Sequence, residues 1–289
     1  MEYIIKYKAQ NTYEASANGA LWQFLITPED NDNQTLEYAD FRNSLQVIVE
    51  NSINGFGFKT YRIQPKQVFK EIEFEAEFKL SKEVVNPFET IPSTSDEDAY
   101  QLLETLEFKV EHEQFLRKTP LTSIPAELKN NFSFDLSLGI FENLQKLNAW
   151  IYNNFKFKAD VTDVDSDLTA VLQNMKGVCQ DFTHLFCALA RENKIPTRYV
   201  SGYLHQGQGY EGDSQMHAWA ESFIPGTGWV GFDPTNNLIA VENHIKVAHG
   251  KDYSDCPPIK GLVYTTGDNE TTYTVEVSSE QQQQQQQQQ

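Results

Sequence analysis

The sequence predicts an α+β protein: an antiparallel, sandwich-like β domain followed by a domain in which helices pack on an antiparallel sheet. Three observations predict it. Apolar residues alternate with period two over roughly the first eighty positions, helical periodicity takes over after about residue 125, and short strand-like runs return from Tyr199 onward.

The first domain rests on Tyr3-Ile5-Tyr7, Leu21-Gln23-Leu25, Leu45-Val47-Val49 and Phe74-Ala76-Phe78-Leu80, separated by turn signals such as Asn31-Asp32-Asn33 and Asn51-Ser52-Ile53-Asn54-Gly55. Short alternating runs at this spacing make an antiparallel sheet or sandwich. The polar stretch from Asn86-Pro87 to Asp98 reads as a loop, and the Pro, Thr and Ser residues between Pro120 and Pro125 as the link to the second domain. Ser137 is then expected to cap a helix over Leu138 to Asn154, with Phe141, Leu144, Leu147, Trp150 and Ile151 on one face. A shorter helix covers Leu168 to Met175. The stripe Phe182, Leu185, Phe186, Leu189, Ala190 marks a third, ending near Asn193. Strands are predicted at Tyr199–Leu204, Met216–Ile224, Gly228–Phe232, Gly261–Thr265 and Tyr273–Val277, all assigned to the second domain. Gln281 to Gln289 is a polyglutamine tail that has no apolar surface to bury. The expected domains are therefore 1–122, 123–280 and a disordered 281–289.

Composition narrows the function. A chain of 289 residues with 39% hydrophobic and 12% aromatic residues can build well-buried cores. A net charge of −18 argues against nucleic acid, which needs clustered Lys and Arg, and against an anionic membrane surface. The N-terminus alternates charges without an apolar run, no stretch could span a bilayer, and three unevenly spaced cysteines make no disulfide framework. A reducing cytoplasm is the expected location, and it suits a free nucleophilic thiol.

The candidate chemistry lies in three residues in chain order. Cys179 follows Gly177-Val178 at the expected start of the third helix, where free backbone N–H groups point outward. There they stabilise a thiolate by about 1 kcal/mol and can receive an oxyanion. His217 opens His217-Ala-Trp219-Ala-Glu221, and Asp233 lies in Gly231-Phe-Asp233-Pro-Thr235. A hairpin folded at Pro225-Gly-Thr-Gly228 brings the two within a residue or two of opposition, giving a base and an orienting acid for the nucleophile. Strand alternation places His217, Trp219 and Glu221 on one face. Cys187, inside the apolar stripe, reads as a buried, inert thiol. Asp181 and His184 are equally compatible with supporting the site and with capping or surface roles. Asp233 taken alone would be a turn-forming Asp-Pro. No metal and no cofactor is expected: Cys179, His184 and Cys187 do not share a helix face, and no Cys-x-x-Cys occurs.

The blocks Gly177-Val-Cys179-Gln-Asp-Phe-Thr-His184, Ile195-Pro-Thr-Arg-Tyr-Val-Ser-Gly-Tyr203, His217-Ala-Trp219-Ala-Glu221 and Gly228-Trp-Val-Gly-Phe-Asp233-Pro-Thr-Asn-Asn237 together resemble the bacterial transglutaminase-like superfamily. His244-Ile-Lys-Val-Ala-His-Gly-Lys-Asp-Tyr-Ser-Asp-Cys-Pro-Pro258 resembles the segment that follows the core in one bacterial branch with an N-terminal β domain, although Lys251 stands where the core family signature usually has arginine, in Gly-Arg-Asp-Tyr. The resemblance implies a papain-like core with a helix-borne cysteine packed on an antiparallel sheet, and a Cys-His-Asp triad at Cys179, His217 and Asp233. It leaves the reaction open among amine transfer, peptide or amide hydrolysis, deamidation and inactive scaffolds. Hydrolysis of a peptide or protein substrate through a thioester is the reading taken here, since water is the default acceptor. Acyl transfer from glutamine to an amine and a non-catalytic binding module are the alternatives, and the oligomeric state is open.

Overall fold

In a computed structural model of the chain, residues 1–83, 96–126, 132–159, 166–205 and 215–279 are described. The N-terminal third folds as β1 (Glu2–Ala17), β2 (Gly19–Phe24), β3 (Gln34–Asn43), β4 (Val49–Ile53), β5 (Lys59–Ile63) and β6 (Phe69–Lys82). Alternation explains these strands. In β1, Tyr3, Ile5, Tyr7 and Ala9 are buried between more exposed neighbours, and in β6 Phe74, Ala76, Phe78 and Leu80 do the same. The inner faces meet through aromatic rings: Trp22 and Phe24 of β2 lie 5.2 and 4.7 Å from Phe74, and Phe41 of β3 stacks on Tyr61 of β5 at 4.6 Å. The expected run Leu45-Val47-Val49 becomes strand only from Val49, because Gln46 adopts φ 54° in the preceding turn.

Three short helices follow, α1 (Asp96–Glu104), α2 (Leu106–Glu111) and α3 (Glu113–Leu116). The expected loop from Asn86 to Asp98 falls outside the described residues up to 95 and is already helical from Asp96. These helices precede residue 122 yet pack on the second part of the chain, with His112 4.3 Å from Phe223 and Phe115 5.3 Å from Trp229. Nor is Pro120–Thr122 a loose link. It forms a 3₁₀ turn whose Thr122 Oγ1 accepts from Arg191 Nη1 at 2.9 Å.

Next come α4 (Ile140–Asn154), β7 (Lys156–Phe157), α5 (Leu168–Asn174), β8 (Lys176–Gly177) and α6 (Cys179–Glu192). Ser137 does not cap α4. Its Oγ donates to Asp135 Oδ1 at 2.6 Å, and the helix starts at Ile140 behind Gly139. The α6 stripe is buried as expected, and Phe186 stacks on Phe232 at 5.4 Å. At its far end Arg191 donates to the carbonyls of Thr197 and Lys251, at 2.7 and 2.6 Å from Nη2, and so pins helix to sheet.

The sheet under α6 has the order β12-β11-β10-β9-β13, built from β9 (Thr197–Leu204), β10 (His217–Ile224), β11 (Gly228–Asp233), β12 (Leu238–Ile239) and β13 (His244–Gly250). All its pairings are antiparallel. The last strands, β14 (Ile259–Tyr264) and β15 (Asn269–Ser279), were expected in this domain but pair with β2 and β1. The chain therefore returns to complete the two N-terminal sheets, β15-β1-β6-β3 and β14-β2-β5-β4. The polyglutamine segment 281–289 lies outside the described residues. No helix is long and apolar enough to cross a membrane among the described residues.

Candidate active site

Cys179 is the first residue of α6 and is partly exposed, whereas Cys187 and Cys256 are fully buried. Val178 has no polar side chain with which to cap the helix, so Asp181 folds back and its Oδ2 accepts from Val178 N at 2.8 Å. This arrangement explains Gly177: a Cβ there would meet Asp181 Oδ2 at 2.6 Å. The glycine makes room for the capping carboxylate; a sharp backbone turn is not its role. Of the two residues left open between supporting and capping, Asp181 caps. His184, buried in the same helix, accepts from Tyr253 N at 3.1 Å through Nε2 and holds the turn after β13. Burial pushes its pKa down to about 4, so it stays neutral.

His217 and Asp233 meet as the hairpin argument requires. The β10–β11 register pairs Ile224 with Gly228 and Ala220 with Phe232, and Gly226 and Gly228 take φ 80° and 95° in the turn. His217 Nε2 lies 2.8 Å from Asp233 Oδ2, and both side chains are buried. Asp233 also makes the turn that its proline suggested: Oδ1 accepts from Thr235 N at 2.9 Å and Asn236 N at 3.2 Å. The turn bonds thus sit on Oδ1 and the His217 contact on Oδ2.

Oδ2 carries more than His217. Asn236 Nδ2 donates to it at 2.9 Å, and His244 Nε2 lies 3.0 Å away. Burial alone would raise the Asp233 pKa, but the charge and hydrogen bonds of His217 and His244 outweigh it and hold the carboxyl ionised. An ionised carboxylate only accepts, so both imidazoles present an Nε2–H to it. For His217, burial opposes the charged ring. The Asp233 charge and hydrogen bond, joined by a hydrogen-bonding and charge contribution from Cys179, override this and raise its pKa to about 10. His217 Nδ1 is buried without a hydrogen-bond partner of normal geometry, and with Nε2 committed to Asp233 it is the nitrogen left for Cys179.

Sequence reasoning missed His244 and Asn236. Both lay in quoted segments, but only the fold brings them to Asp233. Glu221 shares the strand face of His217 yet serves a different cluster, accepting from Arg198 Nε at 2.6 Å and Lys246 Nζ at 2.8 Å. Among the described residues, His217, Asp233 and His244 form a group whose ligand atoms lie within 4.8 Å of one another. Three N–H groups converge on Oδ2, however, and a cation there would meet donor hydrogens instead of lone pairs.

With this geometry in place, comparison with known proteins identifies the frame. Residues 133–234 match the transglutaminase-like superfamily core. That core holds Cys179, His217 and Asp233 and leaves His244 outside it. An uncharacterized protein of Mycobacterium bovis is 35% identical over 139 residues, covering 45% of this chain and 44% of that protein. One of Mycobacterium leprae is 37% identical over 135 residues, covering 45% and 47%. The matched stretch thus spans less than half the length of these curated relatives. The crystal structure of a candidate cysteine protease from Cytophaga hutchinsonii superposes with a TM-score of 0.75 at 18% identity, over 97% of this chain and 91% of that one. The segment similar to the transglutaminase-like core and the β domain that flanks it therefore share a fold with that protein.

Proposed function

We propose that the chain is a cysteine-nucleophile amide or peptide hydrolase acting through Cys179, His217 and Asp233 on a peptide or protein substrate. The observation that carries this reading is the 2.8 Å contact from His217 Nε2 to Asp233 Oδ2, which leaves Nδ1 for the thiol at the start of α6. With the proton already resting on His217 Nδ1, Cys179 reacts as the thiolate of an ion pair and attacks the substrate carbonyl to form a tetrahedral oxyanion. The N-terminal end of α6, where a helix has backbone N–H groups without intrahelical partners, is the place that would receive that negative charge. As the C–N bond breaks, His217 returns the proton to the leaving amine and a thioester to Cys179 remains. Water, deprotonated by the same Nδ1, which is neutral once the amine has left, then releases the acid and restores the Cys179–His217 ion pair. Asp233 holds the ring and offsets its positive charge throughout, in keeping with a histidine pKa raised to about 10.

Incubation with fluorogenic peptide amides, with and without a primary amine, tests the proposal by mass analysis of the acyl product. Free acid formation that disappears in Cys179→Ala is expected. Turnover that survives in a folded Cys179→Ala protein would overturn the assignment. Quantitative capture of the acyl group by the amine would make the chain an acyltransferase.

A further inference from the structure

Asp233 receives a second imidazole, and nothing in the reaction just described uses it. We infer that His244 is a positioning residue, fixing through Asp233 the orientation and proton affinity of His217. The inference rests on the catalytic reading above and extends it to a residue outside the matched core.

The geometry is specific. His244 Nε2 lies 3.0 Å from the same Oδ2 that His217 engages at 2.8 Å, with the ring centroids 6.0 Å apart. His244 is 2% exposed, and the edge of its ring is locked against Trp219 at 5.1 Å and 74°. The turn amides on Oδ1 fix the carboxylate's plane, and on Oδ2 His244 is the donor, besides His217 itself and the Asn236 amide, that sets where within that plane His217 meets it. With Oδ1 tied to the Thr235 and Asn236 amides and Oδ2 gripped from two strands, it has one orientation. Each further donor also draws charge from Oδ2, so His244 tempers how strongly Asp233 stabilises protonated His217. The ionisable groups facing His244 are Asp233 of β11, His217 of β10 and Lys82 of β6; burial, the largest influence on it, keeps His244 neutral. A neutral ring can meet an ionised carboxylate only through N–H, which fixes its tautomer as well.

The N-terminal β domain braces the strand that delivers this side chain. Lys82 Nζ donates to the His244 carbonyl. Two residues along β13, Gln34 Nε2 donates to Lys246 O at 2.9 Å while Gln34 Oε1 accepts from Lys246 N at 3.0 Å. Glu29 N donates to the same carbonyl at 2.8 Å. β13 is thus paired to β9 on one side and held by side chains and backbone of the β domain on the other. The β domain in this way helps set where His244 stands.

The test compares His244→Leu, His244→Gln and His244→Asn in the full chain. Leucine removes the donor. Glutamine can place an N–H where Nε2 stood, and asparagine is too short to do so. We expect kcat to fall about tenfold in the leucine and asparagine variants with KM nearly unchanged, and to recover in the glutamine variant. In an Asp233→Asn background His244→Leu should add no further loss, because its effect passes through that carboxylate. An independent readout is the titration of His217 followed by ¹⁵N NMR, with its pKa expected to rise when the competing donor is lost. Wild-type kcat and an unmoved His217 titration in a folded leucine variant would overturn the inference, as would equal behaviour of the glutamine and asparagine variants. Should Cys179→Ala retain turnover, the catalytic reading fails instead, and the NMR titration still decides whether His244 acts on His217.

Discussion

Asp233 shows how one side chain can hold a turn and a buried histidine at once. The turn bonds on Oδ1 fix the carboxylate's plane, and Oδ2 is then aimed at His217 by the same backbone that ends β11. At this scale the sequence pointed to Cys179, His217 and Asp233 but not to the side chains that surround them. Cys179, His217 and Asp233 could be chosen because a helix start and a hairpin are local features. His244 could not, because it is joined to Asp233 only through a β13–β9–β10–β11 arrangement that local pattern does not specify. The cysteines offer a direct check. Cys179 is partly exposed, whereas burial pushes the Cys187 thiol up to about 11 and the Cys256 thiol well above its ordinary range. Iodoacetamide at neutral pH should therefore alkylate Cys179 alone on a scale of minutes. Peptide mapping that found Cys187 or Cys256 modified at a similar rate would contradict the burial on which the assignment rests.

At the scale of elements, β9 and β10 place the histidine, and their contact tolerates no added bulk. Gly202 pairs directly with His217, and a Cβ there would meet the Ile245 carbonyl at 2.3 Å and the Trp219 ring at 2.5 Å. A methyl group would push Trp219, and with it the ring that abuts His244, out of place. Gly202→Ala should cost about 1–3 kcal/mol by overpacking and reduce turnover as well. Gly55→Ala, where nothing lies within 4 Å, should leave both unchanged. Urea titration of the two variants checks this, and equal stabilities would mean that the sheet gives way at Gly202. Elements with strong periodicity, such as α6 and β6, were legible because burial of one face fixes both type and register. The start of α4 was not: Ser137 is a good capping residue by type, but Asp135 claims its hydroxyl first.

For the molecule as a whole, buried histidines set the pH response. His184 and His249 have pKa values pushed down by burial to about 4 and about 2, and His244 is lowered too. The unfolded chain binds protons at these sites near pH 6.5 while the native one does not, so stability falls as pH drops below that value. His217 has the opposite sign. Its folded pKa of about 10 lies above the unfolded value, so its contribution is complete below pH 6.5 and is lost as pH rises. Lys82, lowered to about 8 by burial, works against that loss only from pH 8 upward. Stability should therefore peak near pH 6.5 and decline toward pH 8 by at most about 1.4 kcal/mol per pH unit from His217. Denaturant titrations across pH 5–8 should show this maximum, and Asp233→Asn should flatten the alkaline side. A wild-type curve still rising between pH 6.5 and 8 would show that His217 is not held protonated.

The sequence by itself determined the α+β class, the alternating strands of the β domain, the buried stripe of α6 and the positions of Cys179, His217 and Asp233. Each is encoded within a few turns or one hairpin, where periodicity and turn chemistry act directly on the backbone. Only the tertiary structure decided that β14 and β15 return to complete the N-terminal sheets, and that α1–α3 leave the β domain to pack against Phe223 and Trp229. It alone brought His244 to Asp233. Strand partners distant in sequence are chosen by which edges and apolar faces remain uncovered once the rest has folded, and no local pattern carries that information.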